Sequence, residues 1–142
     1  MKSWRIGIAC LGVLYFISCD GESAEVMATR LFQELHTLPA PPGAALIVEE
    51  QFAKWRMASA SAKFGTSSKW PEVITFYEQQ LRLRGWRATR SGRNREWGRD
   101  LGGRSALFCK DDRQAEIEWA SNDVRTWRYS VTLSWEPGTK CP

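Results

Sequence analysis

Residue patterns that identify common enzymes are missing from this chain. It has no HExxH metal motif, no GxSxG nucleophile turn and no phosphate-binding glycine loop, and its cysteines and single histidine lack metal-ligand spacing. The carboxylate pairs Glu49-Glu50 and Asp111-Asp112 would diverge on a strand or turn, whereas acid–base catalysis needs both groups in one cleft. His36 has no partner motif and is interpreted as a surface or packing residue. We expect a non-catalytic protein without metal or cofactor.

An apolar stretch long enough to cross a bilayer is also missing. The apolar run at residues 6–18, IGIACLGVLYFIS, has thirteen residues, which is too short for a typical membrane-spanning helix and fits the core of a signal peptide. Lys2 and Arg5 precede it, as expected for the basic start of such a signal. The sequence therefore predicts a signal peptide over residues 1–18.

The end of this segment, Phe16-Ile17-Ser18-Cys19, resembles the lipobox of bacterial lipoproteins. The resemblance implies cleavage before Cys19 and acylation of its thiol and new amino group. The protein would then face the periplasm, lipid-anchored to the inner or the outer membrane. Two other interpretations stay open: ordinary secretion with cleavage near residues 23–24, and an uncleaved signal anchor.

The positions of the four cysteines predict different roles for them. Cys10 lies in the segment that would be removed, and Cys19 would carry the lipid, which leaves Cys109 and Cys141. Two cysteines in an oxidising compartment predict a disulfide, whose main effect would be to hold the C-terminal tail.

The folded part is predicted to be an α+β domain, with an antiparallel sheet of five or six strands and one long helix packed on one face. That helix covers residues 70–85, with Pro71 in its first turn and Gly85 as its stop. Its apolar stripe comprises Trp70, Val73, Ile74, Tyr77 and Leu81. The pattern W-P-E-V-x-x-F-Y, a helix and then G-W is similar to small envelope lipoproteins of unknown function, which implies a fold and no activity.

A second helix is predicted at residues 23–38, either packed on the sheet or serving as a stalk. With the Pro-rich connector it makes up a segment at residues 19–43, ahead of the α+β domain at residues 44–142. Strands are predicted at residues 45–57, 58–66, 86–90, 105–110, 115–119 and 126–136. A bulge or an edge position is expected near residues 49–50.

The last two strands are expected to form a hairpin. A symmetric register would pair Trp119 with Trp127 and Ile117 with Tyr129 on the apolar face.

Arginine is concentrated in one part of the chain. The whole sequence carries 20 basic and 16 acidic residues, so loss of Lys2 and Arg5 would leave 18 against 16, a net charge of +2. Residues 91–104 have no periodicity and are interpreted as a long loop, rich in glycine and arginine. The candidate binding residues in and beside it are Arg90, Arg93, Arg95, Trp97, Arg99 and Arg104.

Guanidinium groups match phosphate and carboxylate, and an indole can stack on a ring or lie at a lipid interface. We therefore expect a binding module whose partners are the membrane, through its lipid, and an envelope protein or an anionic envelope component, but not nucleic acid. The interpretation without a binding role is a solvated loop whose arginines only keep it soluble. The alternative function is a small-ligand binder or enzyme with a Trp-lined pocket between helix and sheet.

Overall fold

The computed structural model describes residues 22–96, 98–121 and 126–141, without the side chains of residues 95 and 96. The predictions about residues 1–18, Cys19 and Trp97 lie outside the described residues. The elements in chain order are α1 Ala24–Thr37, β1 Ala45–Lys54, β2 Met57–Gly65, α2 Trp70–Leu83, β3 Arg87–Glu96, β4 Arg99–Lys110, β5 Arg113–Trp119 and β6 Tyr129–Trp135.

The strands form one six-stranded sheet in the order β1-β2-β6-β5-β4-β3, with every neighbouring pair antiparallel. The α+β class and the antiparallel sheet are thus confirmed. β1 is an edge strand, which is one of the two possibilities predicted from its imperfect alternation. Its register slips between Leu46 and Val48, slightly earlier than the predicted position near residues 49–50.

The two helices have equal length, 14 residues each, so the expectation of one dominant long helix is wrong. The predicted stripe of α2 is correct: Val73, Tyr77 and Leu81 are buried, and Trp70 and Ile74 pack against the core. Its Gly85 has a φ of +81° just beyond the helix, a conformation that glycine adopts without strain.

α1 is packed in the core and is not a free stalk. Its residues Met27, Leu31 and Leu35 are buried in the same cluster as the apolar face of the sheet. Leu35 of α1 and Tyr77 of α2 also line one pocket with sheet residues, so both helices lie on the same sheet face. The chain buries α1 because its apolar residues recur every three to four positions and need a surface to cover.

The predicted loop at residues 91–104 is wrong, because residues 91–96 continue β3 and residues 99–104 begin β4. The two strands pair from Arg87 opposite Cys109 to Glu96 opposite Arg99. The prediction failed because the hairpin lies at the sheet edge, where backbone pairing holds it and few side chains need to be apolar. Its register is irregular between Ala88 and Arg90 and between Arg93 and Arg95.

The predicted register of the last hairpin is wrong by two residues. Trp119 pairs with Tyr129 and Ile117 with Val131, because β6 begins only at Tyr129 and the connection is longer than a symmetric turn. Since a shift of two residues keeps each side chain on its face, Tyr129 is buried on the apolar face as predicted, whereas Trp127 precedes β6 and is only half-buried.

The expected disulfide is present. Cys109 on β4 and Cys141 in the tail are joined, with Cα atoms 5.6 Å apart. The tail leaves β6 after Trp135 and reaches β4, and the intervening Thr139 lines a pocket with Gln114 of β5 and Ser134 of β6. The disulfide therefore holds the tail across the sheet face that the helices leave open.

Candidate functional site

The predicted arginine residues lie along the β3–β4 hairpin, which forms one edge of the sheet. Arg90, Arg93 and Arg99 are exposed and Arg104 is half-buried. Arg95 lies in β3 opposite Asp100, and its side chain is among those not described. The chain reverses between the paired residues Glu96 and Arg99, and Gly98 there has a φ of +79°. A two-stranded edge, rather than a loop, thus sets the spacing of these cations.

Two of the arginines share a groove beside the edge strand. The groove has a volume of about 410 Å³ and is lined by Arg90, Arg93, Asn94 and Ser105, together with two small residues of β3. The Ser105 hydroxyl donates to the Asn94 side-chain oxygen at 2.8 Å, which orders the floor between the two guanidinium groups. An open, polar groove with two guanidinium groups can accept a phosphate or carboxylate group.

Asp100 partly neutralises the positive charge near the turn of the β3–β4 hairpin. Arg93 lies opposite Arg104, a like-charge pair that is unfavourable by itself. The Arg93 guanidinium donates to Asp100 at 2.7 Å, and the Gly102 backbone N–H donates to the same carboxylate at 3.0 Å. The bond from Gly102 and then that from Arg93 lower the pKa of Asp100, so this carboxylate stays ionised. A bound anion would compete with Asp100 for Arg93.

Arg90 is coupled to the open face of the sheet. It lies opposite Leu107, and Leu107 lies opposite Glu116 on β5. Burial, and then the neighbouring Glu118, raise the pKa of Glu116, while the charge of Arg90 opposes the rise. Arg90 therefore also serves to stabilise a half-buried carboxylate.

Arg128 is a further cation that the sequence pattern did not identify. Its guanidinium carbon lies 4.7 Å from the ring centroid of Trp119, and Trp119 is the partner of Arg104 across β4 and β5. Arg93, Arg104 and Arg128 therefore lie around the same end of the sheet. A signal was present in the sequence, since Arg128 follows the arginine-rich region and stands between the aromatic residues Trp127 and Tyr129.

A second candidate site lies between α1, α2 and the sheet. It is a pocket of about 150 Å³ whose lining includes Leu38, Leu46 and Phe64. His36 and Glu49, also in its lining, approach each other to 3.1 Å between Nε2 and a carboxylate oxygen. His36, interpreted from the sequence as a surface or packing residue, thus has an exposed side chain and a partner on β1. The lining contains no tryptophan, in contrast to the pocket expected from the sequence.

The tryptophans near the helices are core residues. Trp86, Trp119 and Trp135 are buried, and Trp70 packs edge-on against Trp119 at a centroid distance of 6.1 Å. β2 contributes only small buried side chains to the apolar face, the alanines Ala58, Ala60 and Ala62. The many large indole rings fill the core beside these small residues. Large and small side chains thus alternate across the apolar face.

Across residues 22–96, 98–121 and 126–141 there is no cluster of three or more histidine, cysteine or acidic side chains able to hold a metal ion. No helix in these ranges is both long and apolar enough to cross a membrane. No protein-family model, curated protein or solved structure matches the chain.

Proposed function

We propose that this protein is a lipid-anchored, non-catalytic binding module of the bacterial cell envelope, facing the periplasm. In this proposal Cys19 carries the lipid, and the β3–β4 hairpin binds an anionic envelope component or an acidic protein surface. The observation that carries the proposal is the opposite placement of the N-terminal segment and the arginine residues at the two ends of the sheet.

The register of the strands supports this placement. One end of the sheet is marked by Trp135, which pairs with Ala58 and with Arg113. Glu22, the first described residue, lines a surface pocket with Trp135 and Arg113 and so lies at this end. The opposite end carries the row Arg93–Arg104–Trp119. An anchor at Cys19 would therefore hold the arginine residues away from the membrane.

The chemistry of the hairpin favours phosphate or carboxylate as the recognised group. In the envelope such groups occur on lipopolysaccharide, on peptidoglycan and on acidic proteins. Exposed charges attract over about 8–10 Å at physiological salt, so binding through this hairpin should weaken as salt concentration rises.

The anchor is tested by metabolic palmitate labelling of the wild type and of Cys19→Ala, followed by membrane fractionation. The lipoprotein interpretation requires label and membrane recovery in the wild type and loss of both in Cys19→Ala. A wild type that is unlabelled and soluble would refute it.

The hairpin is tested by crosslinking and affinity recovery from the native host. Replacement of Arg93 and Arg99 by alanine should lower partner recovery, and the loss should be mimicked by added salt. The matched control is replacement of Arg82 and Lys140, two exposed cations outside the hairpin, which removes the same charge. Equal recovery from both double variants would contradict a specific role for the hairpin.

The alternative function, a small-ligand binder, is favoured by the His36–Glu49 pair beside the pocket under α1. Hydrogen-bonding groups at the rim of an apolar pocket can orient a ligand with one polar end. The test is a thermal-shift screen of the wild type and of His36→Ala. A ligand that raises the melting temperature of the wild type alone would support this function, and a screen without response would count against it.

A further inference from the structure

The turn between β1 and β2 exposes a tryptophan that the fold does not need. Trp55 is 84 % exposed, while Trp86, Trp119 and Trp135 are at most 7 % exposed. Its φ is +53°, a left-handed conformation that is unfavourable for a bulky residue. A two-residue turn of this kind favours asparagine or glycine. Neither packing nor backbone preference explains the indole, which indicates a contact outside the domain.

The neighbours of Trp55 form a mixed apolar and basic tip. The Lys54 Nζ lies 4.9 Å from the Trp55 ring centroid, and Arg56 follows directly in the turn. Phe52 and Met57, at the base of the turn, are 49 % and 43 % exposed. Indole rings concentrate at membrane–water interfaces, and flanking cations add attraction to anionic headgroups.

The tip lies at the same end of the sheet as Glu22. Phe52 and Met57 line a pocket with Asp112 and Trp135, and Glu22 lines a neighbouring pocket with the same two residues. Only three residue steps separate Glu22 from Cys19, a span of roughly 11 Å when fully extended. A lipid on Cys19 would thus bring this end of the sheet to the membrane surface.

Acidic groups at this end limit the electrostatic part of the contact. Asp111 is exposed on the β4–β5 turn, Asp112 accepts a hydrogen bond from the Trp135 indole at 2.7 Å, and Glu136 is exposed at the start of the tail. They offset the charges of Lys54 and Arg56. The indole, rather than net charge, should therefore dominate the contact.

We propose that the tip Lys54-Trp55-Arg56 is a second membrane contact, which places the Trp55 indole at the lipid interface and orients the domain. This inference rests on the proposed lipid anchor. The anchor makes insertion of the tip an intramolecular event at high effective concentration, so a single indole suffices. The domain then stands upright, with the β3–β4 hairpin directed into the periplasm.

The test uses the full chain, purified with its lipid and placed in vesicles of phosphatidylcholine and phosphatidylglycerol at a ratio of 7:3. Because Cys109 and Cys141 are joined, a cysteine introduced into the processed chain supplies a free thiol for an environment-sensitive nitrobenzoxadiazole label. Trp55→Cys and Arg56→Cys place the label at the tip, and Arg56→Cys keeps the indole. Ser67→Cys, exposed beyond the opposite end of β2, is the matched control.

The expected result is a shift of emission to shorter wavelength at position 56, with loss of emission when the vesicles carry nitroxide-labelled lipid. At position 55, where the substitution removes the indole, both changes should be smaller. Position 67 should show neither change. Equal signals at both ends would overturn the proposal. A shift at the tip that nitroxide lipid does not quench, and that disappears when the protein is diluted in lipid, would indicate contact with a second copy of the chain. This result would also overturn the proposal.

Palmitate incorporation, measured on the same preparations, keeps the two proposals separate. Lipidated protein without quenching at the tip would refute the second contact and leave the anchor standing. Unlabelled protein that still shows lipid quenching at the tip would refute the anchor and support the contact on its own.

Discussion

The guanidinium of Arg113 on β5 donates to the carboxylate of Glu34 on α1 at 2.6 Å, and their side chains are only 16 % and 18 % exposed. This ion pair joins α1 to the first residue of β5, an interior strand of the sheet, across 79 positions of sequence. Arg113 also lies over the Trp86 ring, at 5.7 Å from its centroid. α1 is therefore held by a specific polar contact as well as by apolar packing.

Replacing Arg113 by methionine should destabilise the fold, because the methionine keeps most of the packing and leaves the Glu34 carboxylate half-buried without its partner. We expect a loss of about 1–3 kcal/mol in the free energy of unfolding, between the values for exposed and fully buried pairs. Urea unfolding measures it. The control is Lys63→Met, whose partner Glu50 is 58 % exposed and whose loss should stay below about 1 kcal/mol. Similar losses in both variants would contradict the role of Arg113.

Stability should fall steeply at alkaline pH because of two buried phenols. The hydroxyls of Tyr77 and Tyr129 lie 3.4 Å apart in the core, and burial raises the pKa of both. Below the ordinary tyrosine pKa of about 10 both states are neutral, and above it only the unfolded state ionises, so stability is lost as pH rises. A phenol that stays neutral in the folded state contributes about 1.4 kcal/mol per pH unit above its ordinary pKa.

Tyr77→Phe removes one of these groups and should make the loss of stability above pH 10 shallower. Unfolding in urea at pH 8, 10 and 11 measures the slope for both proteins. Parallel slopes for wild type and variant would show that Tyr77 ionises as readily in the folded state as in the unfolded one.

Glu116→Gln should stabilise the protein at neutral pH. The raised pKa of Glu116, caused first by burial, means that the folded state favours the neutral acid. The stability contributed by this group is present below the unfolded pKa of about 4.3 and is lost as pH rises through the folded pKa. The advantage of the glutamine variant should therefore be present at pH 7 and vanish near pH 4. A variant less stable than wild type at pH 7 would contradict this reading.

Arg90→Ala should raise the pKa of Glu116 further, because the positive charge of Arg90 opposes the rise. The measurement is an NMR titration of the glutamate side-chain carboxyl in both proteins. Arg99→Ala, in the same hairpin but at its tip, is the control and should leave the titration unchanged. If the pKa of Glu116 is the same in Arg90→Ala as in the wild type, Arg90 does not act on this carboxylate. Its position beside the groove would then be the only observation that supports a role for Arg90.

Loss of the disulfide should release the tail and destabilise the domain. Cys109 and Cys141 are separated by 32 positions, and a loop of this length gives about 3–4 kcal/mol in the chain-entropy model. Cys141→Ser paired with Cys109→Ser, compared with the oxidised wild type in urea, measures the loss. Hydrogen exchange should increase in residues 136–141. A midpoint equal to that of the wild type would show that packing alone holds the tail.

Prediction succeeded where side chains alternate with the period of their element. The stripe of α2 and the burial of Ile117 and Tyr129 on the apolar face were predicted correctly, because core burial imposes a strong period on helices and strands. The β3–β4 hairpin was missed because Ser, Gly and Arg can all occupy an exposed edge strand. The register of β5 and β6 was missed because shifts by two residues preserve the pattern and only the length of the connection distinguishes them.

The sequence by itself determined the α+β class, the antiparallel sheet, the packed face of α2 and the disulfide partners, since each depends on local period or on a small set of possible pairs. Only the tertiary structure decided the strand order, the packing of α1, the pairing of His36 with Glu49 and of Arg113 with Glu34, and the placement of the β1–β2 turn at the same end of the sheet as Glu22. These features depend on contacts between residues far apart in sequence, and the local pattern carries no information about which surfaces will meet.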